Sequence, residues 1–269
     1  MRVLSERIRG MGKRRIIIFV VIILFCIAAV WIFFRFKKPT KLNDIAYDVN
    51  KRHGYTVYIE EKAGYAPYLV LTNDYEGDGN VLLLRRQTLA EYQPFNKETE
   101  REPYYEDSYI DGYLNTVYFE MLDADVQDQV LDSYIKIQDY SIWTGGGPRG
   151  EPDTKIIRRK AFLLSFAEVL PGSLGNFPVD GEPIKYFTDD MNRILATDMN
   201  NELTVWMLRS GSMGESSVNM VIPREVRSGN VDMYSPTSVR PAFCLDRNTK
   251  IIEDSTIDKG EKVYVLKKE

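Results

Sequence analysis

Nineteen consecutive apolar residues, Ile16 to Phe34, lie between Lys13-Arg14-Arg15 and Arg35, and this block limits the folds open to the chain more than any other stretch. As a helix it would extend about 28 Å at 1.5 Å per residue, close to the hydrocarbon thickness of a bilayer. Fifteen of the nineteen are Ile, Leu, Val or Phe. At about −0.3 to −0.6 kcal/mol each they sum to roughly −5 to −9 kcal/mol for insertion. The expectation is a transmembrane helix over residues 16–36. A buried core helix is the alternative, yet such helices seldom lack every polar residue over so many turns directly after three cations. A cleaved signal peptide carries an apolar core of about 7–15 residues and then a small-x-small site, whereas this run ends in Trp31-Ile32-Phe33-Phe34-Arg35. Bulky Phe25 before Cys26 argues against lipoprotein processing.

Six basic residues, Arg2, Arg7, Arg9, Lys13, Arg14 and Arg15, precede the run, and four, Arg35, Lys37, Lys38 and Lys41, follow it closely. The bias predicts a single-pass protein of the cell membrane, N-terminus cytoplasmic and C-terminal domain extracellular. Its division is then a basic tail over 1–15, the membrane helix over 16–36, a juxtamembrane stalk over 37–54 and an extracytoplasmic domain over 55–269. The bilayer is the expected partner through Ile16 to Phe34. Residues 1–38 hold nine basic and one acidic residue, leaving 26 basic and 38 acidic residues beyond. So acidic a body, with no basic run, argues against nucleic acid as a partner. Cys26 and Cys244 are the two cysteines; one is expected in the membrane and the other in an apolar strand, so no intrachain disulfide is expected. A domain of this length can fold on its hydrophobic core alone, and an outward-facing one without disulfides suits a bacterial envelope.

Beyond residue 55 the pattern mixes strands and short helices. Tyr55–Ile59 alternates as a strand does, and Tyr68–Thr72 and Val81–Arg85 predict a hairpin around the turn formers Asn73–Asn80. Ser108 opens a helix with Ile110, Leu114, Val117 and Met121 on one stripe, and Ser108 with Asp111 resembles a capping box. A short helix is expected from Asp123 or Asp125 to about Leu131, then strands at Tyr134–Gln138 and Phe162–Phe166. Gly145–Pro152 reads as a breaker-rich loop, and a third helix is expected behind Thr188. Val205–Arg209, Val218–Ile222, Val231–Tyr234 and Val239–Leu245 are expected strands, and Lys250–Ile252 with Val263–Leu266 a last hairpin. The fold class expected is α+β.

Several chemistries are excluded by what is missing. The single histidine, His53, lies in the charged stretch Asn50–Gly54, which leaves no His-based triad, no Cys–His dyad and no ordinary zinc site for the domain. No cofactor is expected. Paired carboxylates remain open, as in a hydrolase acting on envelope polysaccharide. Asp74, Glu76, Asp78 and Asn80 offer oxygens to a hard cation, but a turn between strands needs the same residues for backbone reasons. The triple glycine at 145–147 lacks the Lys-Ser/Thr of a phosphate-binding loop.

Two local patterns stand out: Trp206-Met-Leu-Arg-Ser210 and Val239-Arg-Pro-Ala-Phe-Cys-Leu245. Strand alternation sets Trp206 and Leu208 on one face, Met207 and Arg209 on the other. Trp206, Arg209 and Arg240 are therefore the candidate ligand-binding residues, an indole to stack on a sugar and guanidiniums to bond an acidic ligand. A core Trp beside an Arg locked to a buried carboxylate or to loop carbonyls accounts for the same pattern, and is the favoured reading of the pair.

With Asp74–Leu84, Tyr92–Asn96, Ser108–Asn115 and Phe162–Ser165, these patterns resemble a family of uncharacterised Gram-positive bacterial domains over roughly residues 65–250. In that family a Trp-x-Leu-Arg-Ser strand and a Val-Arg-Pro-Ala-Phe/Leu strand close the domain. The family in turn resembles the C-type-lectin-like fold of formylglycine-generating enzymes. The resemblance implies a C-type-lectin-like α+β domain with helices in the first half and short strands in the second. It implies no activity: those enzymes use two cysteines, whereas this domain has Cys244 alone, and the lectin Glu-Pro-Asn and Trp-Asn-Asp motifs are missing. The expected function is a non-catalytic binding or interaction module for glycan, cell-wall polymer or protein, with the carboxylate-dependent hydrolase as alternative.

Overall fold

The structure is a computed structural model and describes residues 18–26, 38–49, 55–97, 104–139, 153–171, 179–211, 216–223 and 227–268. The chain divides into two compact units, Met1–Pro39 and Thr40–Glu269. In the first, residues 18–26 are helical with exposed side chains, a length of about 14 Å, half the apolar thickness of a bilayer. Among the described residues no helix is long and apolar enough to cross a membrane. This corrects the expected membrane-spanning helix and the single-pass assignment built on it; the rest of Ile16 to Phe34 lies outside the described residues.

The second unit is built mainly from strands. Its elements begin with a single helical turn α1 (Leu42–Ile45), followed by β1 (Thr56–Glu61), β2 (Gly64–Tyr75) and β3 (Asn80–Arg85). Leu42 and Ile45 are fully buried, and the Leu42 and Asn43 amides bond to the carbonyls of Thr249 and Arg247. The expected stalk is thus part of the domain from Thr40 onward, because two apolar side chains three positions apart supply the inner face of one turn.

Next come α2 (Tyr109–Tyr113), which runs on through a π turn (Leu114–Tyr118) and a 3-10 turn (Phe119–Met121), then α3 (Ala124–Gln127), β4 (Ser133–Asp139), β5 (Asp153–Arg159), β6 (Ala161–Phe162) and α4 (Phe166–Val169). Ser108 caps α2, accepting from the Asp111 amide at 3.2 Å. The stripe expected over Ile110, Leu114, Val117 and Met121 does not persist: Val117 and Met121 are exposed, while Tyr118 and Leu122 are buried. The π turn explains this, since the wider turn rotates the helix phase and carries the inner face one residue onward.

The remainder comprises α5 (Lys185–Thr188), a 3-10 turn (Met191–Ile194), β7 (Ala196–Thr197), β8 (Leu203–Thr204), β9 (Trp206–Gly211), β10 (Ser217–Ile222), β11 (Arg227–Asp232), β12 (Ala242–Asp246), β13 (Ile251–Asp258) and β14 (Glu261–Leu266). Helix and strand depart from expectation at two places here. The strand at Phe162–Phe166 is cut short because Ser165 and Glu168 form a capping box that starts α4. The helix behind Thr188 instead ends there, and Asp190 caps a 3-10 turn.

The large sheet has seven strands in the order β13-β14-β1-β2-β3-β12-β6; three-stranded β11-β10-β9 and the ribbons β4-β5 and β7-β8 stand apart from it. β1 runs parallel to β14, and β12 lies antiparallel between β3 and β6. Val81 to Leu84 and Ala242 to Leu245 are each 0% exposed, so the middle of the sheet is covered on both faces. This is why these strands read as unbroken apolar runs rather than alternating ones. The expected lectin-like class with a helical first half is corrected: 42% of the described residues are strand and 22% helix, proportions that fit an α+β or β-sandwich-like class. Three strands of the large sheet precede Arg86, and among the described residues of this unit no helix exceeds five residues, the π and 3-10 continuations of α2 apart.

Candidate functional site

Trp206, Arg209 and Arg240 all lie beneath the surface, at 0%, 2% and 1% exposure. All six residues of β9 are buried, so the two faces of the strand both meet protein. Arg209 grips Glu168 in a bidentate pair, Nη1 to Oε2 at 2.8 Å and Nη2 to Oε1 at 2.9 Å, with both side chains at 0% exposure. Its remaining donors reach the carbonyls of Lys136, Leu163 and Asp180. All five N–H groups of the fork are thereby used. Burial alone would lower the Arg209 pKa, but the facing Glu168 carboxylate outweighs it and holds the guanidinium firmly charged.

Glu168 is supplied by the capping box of α4. Its Oε2 also accepts from the Ser165 amide at 2.6 Å and its Oε1 from the Tyr75 hydroxyl at 2.6 Å. Beside it, Ser210 donates to Asp180 Oδ2 at 2.6 Å, and burial raises the Asp180 pKa above the usual carboxylate range. Gly181 completes this packing: a Cβ there would fall 2.7 Å from Glu168 Cγ and 2.9 Å from Ser165 Oγ. Two further carboxylates, Asp111 buried and Glu61 half-buried, are held the same way. Asp111 takes Arg159 through Nε and Nη2, and Glu61 takes Arg85 through Nε and Nη2.

Arg240 differs. Its Nε donates to the Arg85 carbonyl at 2.8 Å, its guanidinium lies 5.0 Å from the centre of the Trp206 ring, and Nη1 has no hydrogen-bond partner. Trp206 in turn donates its indole N–H to the Ile194 carbonyl at 2.9 Å, which ties β9 to the turn carrying Arg193. Around that turn three tyrosines meet edge to face: Tyr47 and Tyr55 at 5.4 Å, Tyr47 and Tyr186 at 5.2 Å, Tyr55 and Tyr186 at 5.4 Å between ring centres. The Arg193 guanidinium sits 4.7 Å from the Tyr47 ring and 5.3 Å from that of Tyr186. Burial and Tyr55 push the Tyr186 hydroxyl up to about 12 even though Arg240 and Arg193 both pull it down.

The sequence reasoning singled out Arg209 and Arg240, which the fold sets in different surroundings, and missed Glu168, Tyr47, Tyr55, Tyr186 and Arg193. Ser165-Phe-Ala-Glu168 is itself a capping-box signature that would have found Glu168; nothing local marks the tyrosines, which come from three separate elements. In the Asp74–Asn80 turn, Asp74 Oδ1 accepts from the Gly79 amide at 2.7 Å, and Glu76, Gly77 and Gly79 adopt positive φ. Among the described residues no group of three or more His, Cys, Asp or Glu side chains converges as a metal centre needs. Cys244 is buried on β12, and burial pushes its thiol up to about 12, which makes it inert as a nucleophile. His53 and the triple glycine lie outside the described residues.

No curated protein and no solved structure matches this chain. Residues 78–247, which include β3, α2, the Arg209–Glu168 pair, the Arg193 turn and both distinctive strands, match the family described as Domain of unknown function (DUF6273), and the chain belongs to that family.

Proposed function

We propose that the domain is a non-catalytic binding or interaction module for glycan, cell-wall polymer or protein, with Arg193, seated on the buried rings of Tyr47 and Tyr186, as its contact residue. One observation carries the reading: the Arg193 side chain is 27% exposed and its guanidinium rests on two ring faces. A planar cation held flat on an aromatic floor offers stacking to a sugar ring and a donor fork to an acidic group. The hydrolase alternative needs a carboxylate free to exchange a proton with substrate. Glu61, Asp111 and Glu168 instead each accept from an arginine fork inside the protein.

The full chain, screened on a glycan array and by capture from envelope extracts, tests this, with Arg193→Ala as the variant. The reading predicts capture that falls at least tenfold in Arg193→Ala while the melting temperature stays within a few degrees. Undiminished capture by the variant removes the assigned surface. Release of new reducing ends from a captured polysaccharide replaces binding by hydrolysis.

A further inference from the structure

Each of the arginines 85, 159 and 209 faces a carboxylate within hydrogen-bonding distance. Arg240, more buried than Arg85 and as buried as Arg209, has none among the described residues. What it has is one carbonyl, one indole face and a free Nη1. A guanidinium withdrawn from water without an anion is costly, several kcal/mol even after the protein relaxes. The charged groups that face it do not relieve that cost. Tyr186 favours the cation but is neutral at ordinary pH, and Arg86 is a second positive charge; burial and Arg86 together press the Arg240 pKa down to about 10.

The acidic residues of the neighbouring elements are spent elsewhere. Asp189 accepts from the Tyr47 hydroxyl at 2.8 Å and pairs with Lys185. Asp190 caps the 3-10 turn through the Asn192 amide and lies 3.8 Å from Arg193. Another buried atom without a partner, Thr88 Oγ1, belongs to the segment running beside Arg240, joined to it by the Arg85–Pro241 and Leu89–Val239 backbone bonds. An unpaired buried cation, a phenol under the influence of Arg240 and Arg193, and an unfilled hydroxyl on the adjoining segment thus occur in a body that is otherwise acidic.

We propose that Arg240 is the floor of an anion subsite, covered by Tyr186 and Arg193, that takes the carboxylate or phosphate of an acidic glycan. The inference rests on the binding-module reading and adds the charge of the ligand. Arg193 is the cover, held by ring faces, a 3.3 Å hydrogen bond from its Nη1 to the Tyr186 carbonyl and one long contact to Asp190 rather than by a fork-to-carboxylate pair. When it swings aside, an oxyanion reaches Arg240 Nη1, supplies the missing counter-charge, and leaves Arg193 free to close over it as a second donor. The requirement for an anion follows from the unpaired buried charge and is independent of which sugar carries it.

The test is a titration of the full chain with sodium glucuronate and with inorganic phosphate at constant ionic strength, glucose serving as the neutral control, read by calorimetry and by melting temperature. The proposal predicts saturable binding of at least one anion with a raised melting temperature, and no effect of glucose. The stronger of the two anions distinguishes a carboxylate from a phosphate source. Affinity should fall at least tenfold in Arg240→Lys, which keeps the charge and loses the fork, and several-fold in Arg193→Gln. Arg240→Met should abolish binding if it folds; if it does not, the other two variants decide. Binding of neither anion, or wild-type affinity in both Arg240→Lys and Arg193→Gln, overturns the proposal. Capture of a neutral glycan or a protein that still depends on Arg193 would then leave the binding module standing and remove only the anion.

Discussion

Replacing Glu168 by Gln tests the central electrostatic claim, because the change keeps the shape and removes the charge. Glu168 receives four donors on two oxygens: Tyr75 and Arg209 Nη2 on Oε1, the Ser165 amide and Arg209 Nη1 on Oε2. A glutamine offers one oxygen, so in either orientation its NH2 group confronts two donors. The unpaired buried arginine costs about 3–5 kcal/mol, and the donor conflict adds about 1–3 kcal/mol. The sum is comparable to the whole stability of an ordinary domain, about 5–15 kcal/mol. Arg209→Met should cost about as much, since it strands the Glu168 charge and three carbonyls. Glu168→Gln combined with Arg209→Met removes both charges and should cost much less than the two single changes added together. Urea unfolding of the full chain, followed by far-UV circular dichroism and extrapolated linearly, measures the cycle. We expect a coupling energy of about 3 kcal/mol or more between positions 168 and 209. Single costs under about 1 kcal/mol, or additivity within about 0.5 kcal/mol, would refute the idea that this pair works as one buried unit.

Gly181→Ala should destabilise by about 1–3 kcal/mol, the usual cost of overpacking, because its Cβ would meet Glu168 Cγ at 2.7 Å; an unchanged denaturation midpoint would show that the segment moves aside freely. Ser165→Ala removes the acceptor for the Glu168 amide and should cost about 1 kcal/mol, measured in the same unfolding assay. The protein should also be labile to alkali. Tyr186 ionises near 12 when folded against about 10 unfolded, so its contribution is intact below pH 10 and is lost as pH rises from about 10 to 12. Two pKa units correspond to about 2.7 kcal/mol. Tyr186→Phe should flatten the fall by roughly that much, and unfolding free energies equal for both proteins at pH 9 and pH 11.5 would contradict it.

Much of the strand framework was legible because its signals are local. The Asn73–Asn80 turn formers and the flanking apolar runs specify the β2–β3 hairpin, and the Lys250–Leu266 region forms the β13–β14 hairpin where its alternation indicates. Ser108 and Asp123 cap the helical turns they precede. The failures have non-local causes. Thr40 to Tyr47 looks polar enough for a stalk, yet the Leu42 and Asn43 amides find their partners far along the chain, in the carbonyls of Thr249 and Arg247. A π turn, invisible to a fixed period of 3.6, redirected the α2 stripe. The site suffered in the same way: its tyrosines come from just beyond α1, the residue before β1, and α5, and no spacing rule connects them.

Arg209 and Arg240 show most directly what a pattern of residues withholds. Each sits on an apolar run, each follows strand-forming neighbours, and each ends almost wholly buried. In sequence they look equivalent. Their electrostatic fates diverge because α4 brings a glutamate to one and, among the described residues, only an indole and a carbonyl reach the other. A buried arginine with a bidentate carboxylate neutralises itself and has no charge left to recognise a ligand, so Arg209 belongs to the framework. A buried arginine without one keeps an unmet demand for negative charge. Stability alone favours an apolar residue of similar volume at such a position, since that would avoid the desolvation cost altogether. The physical case for an arginine at position 240 therefore rests on an interaction completed from outside the chain.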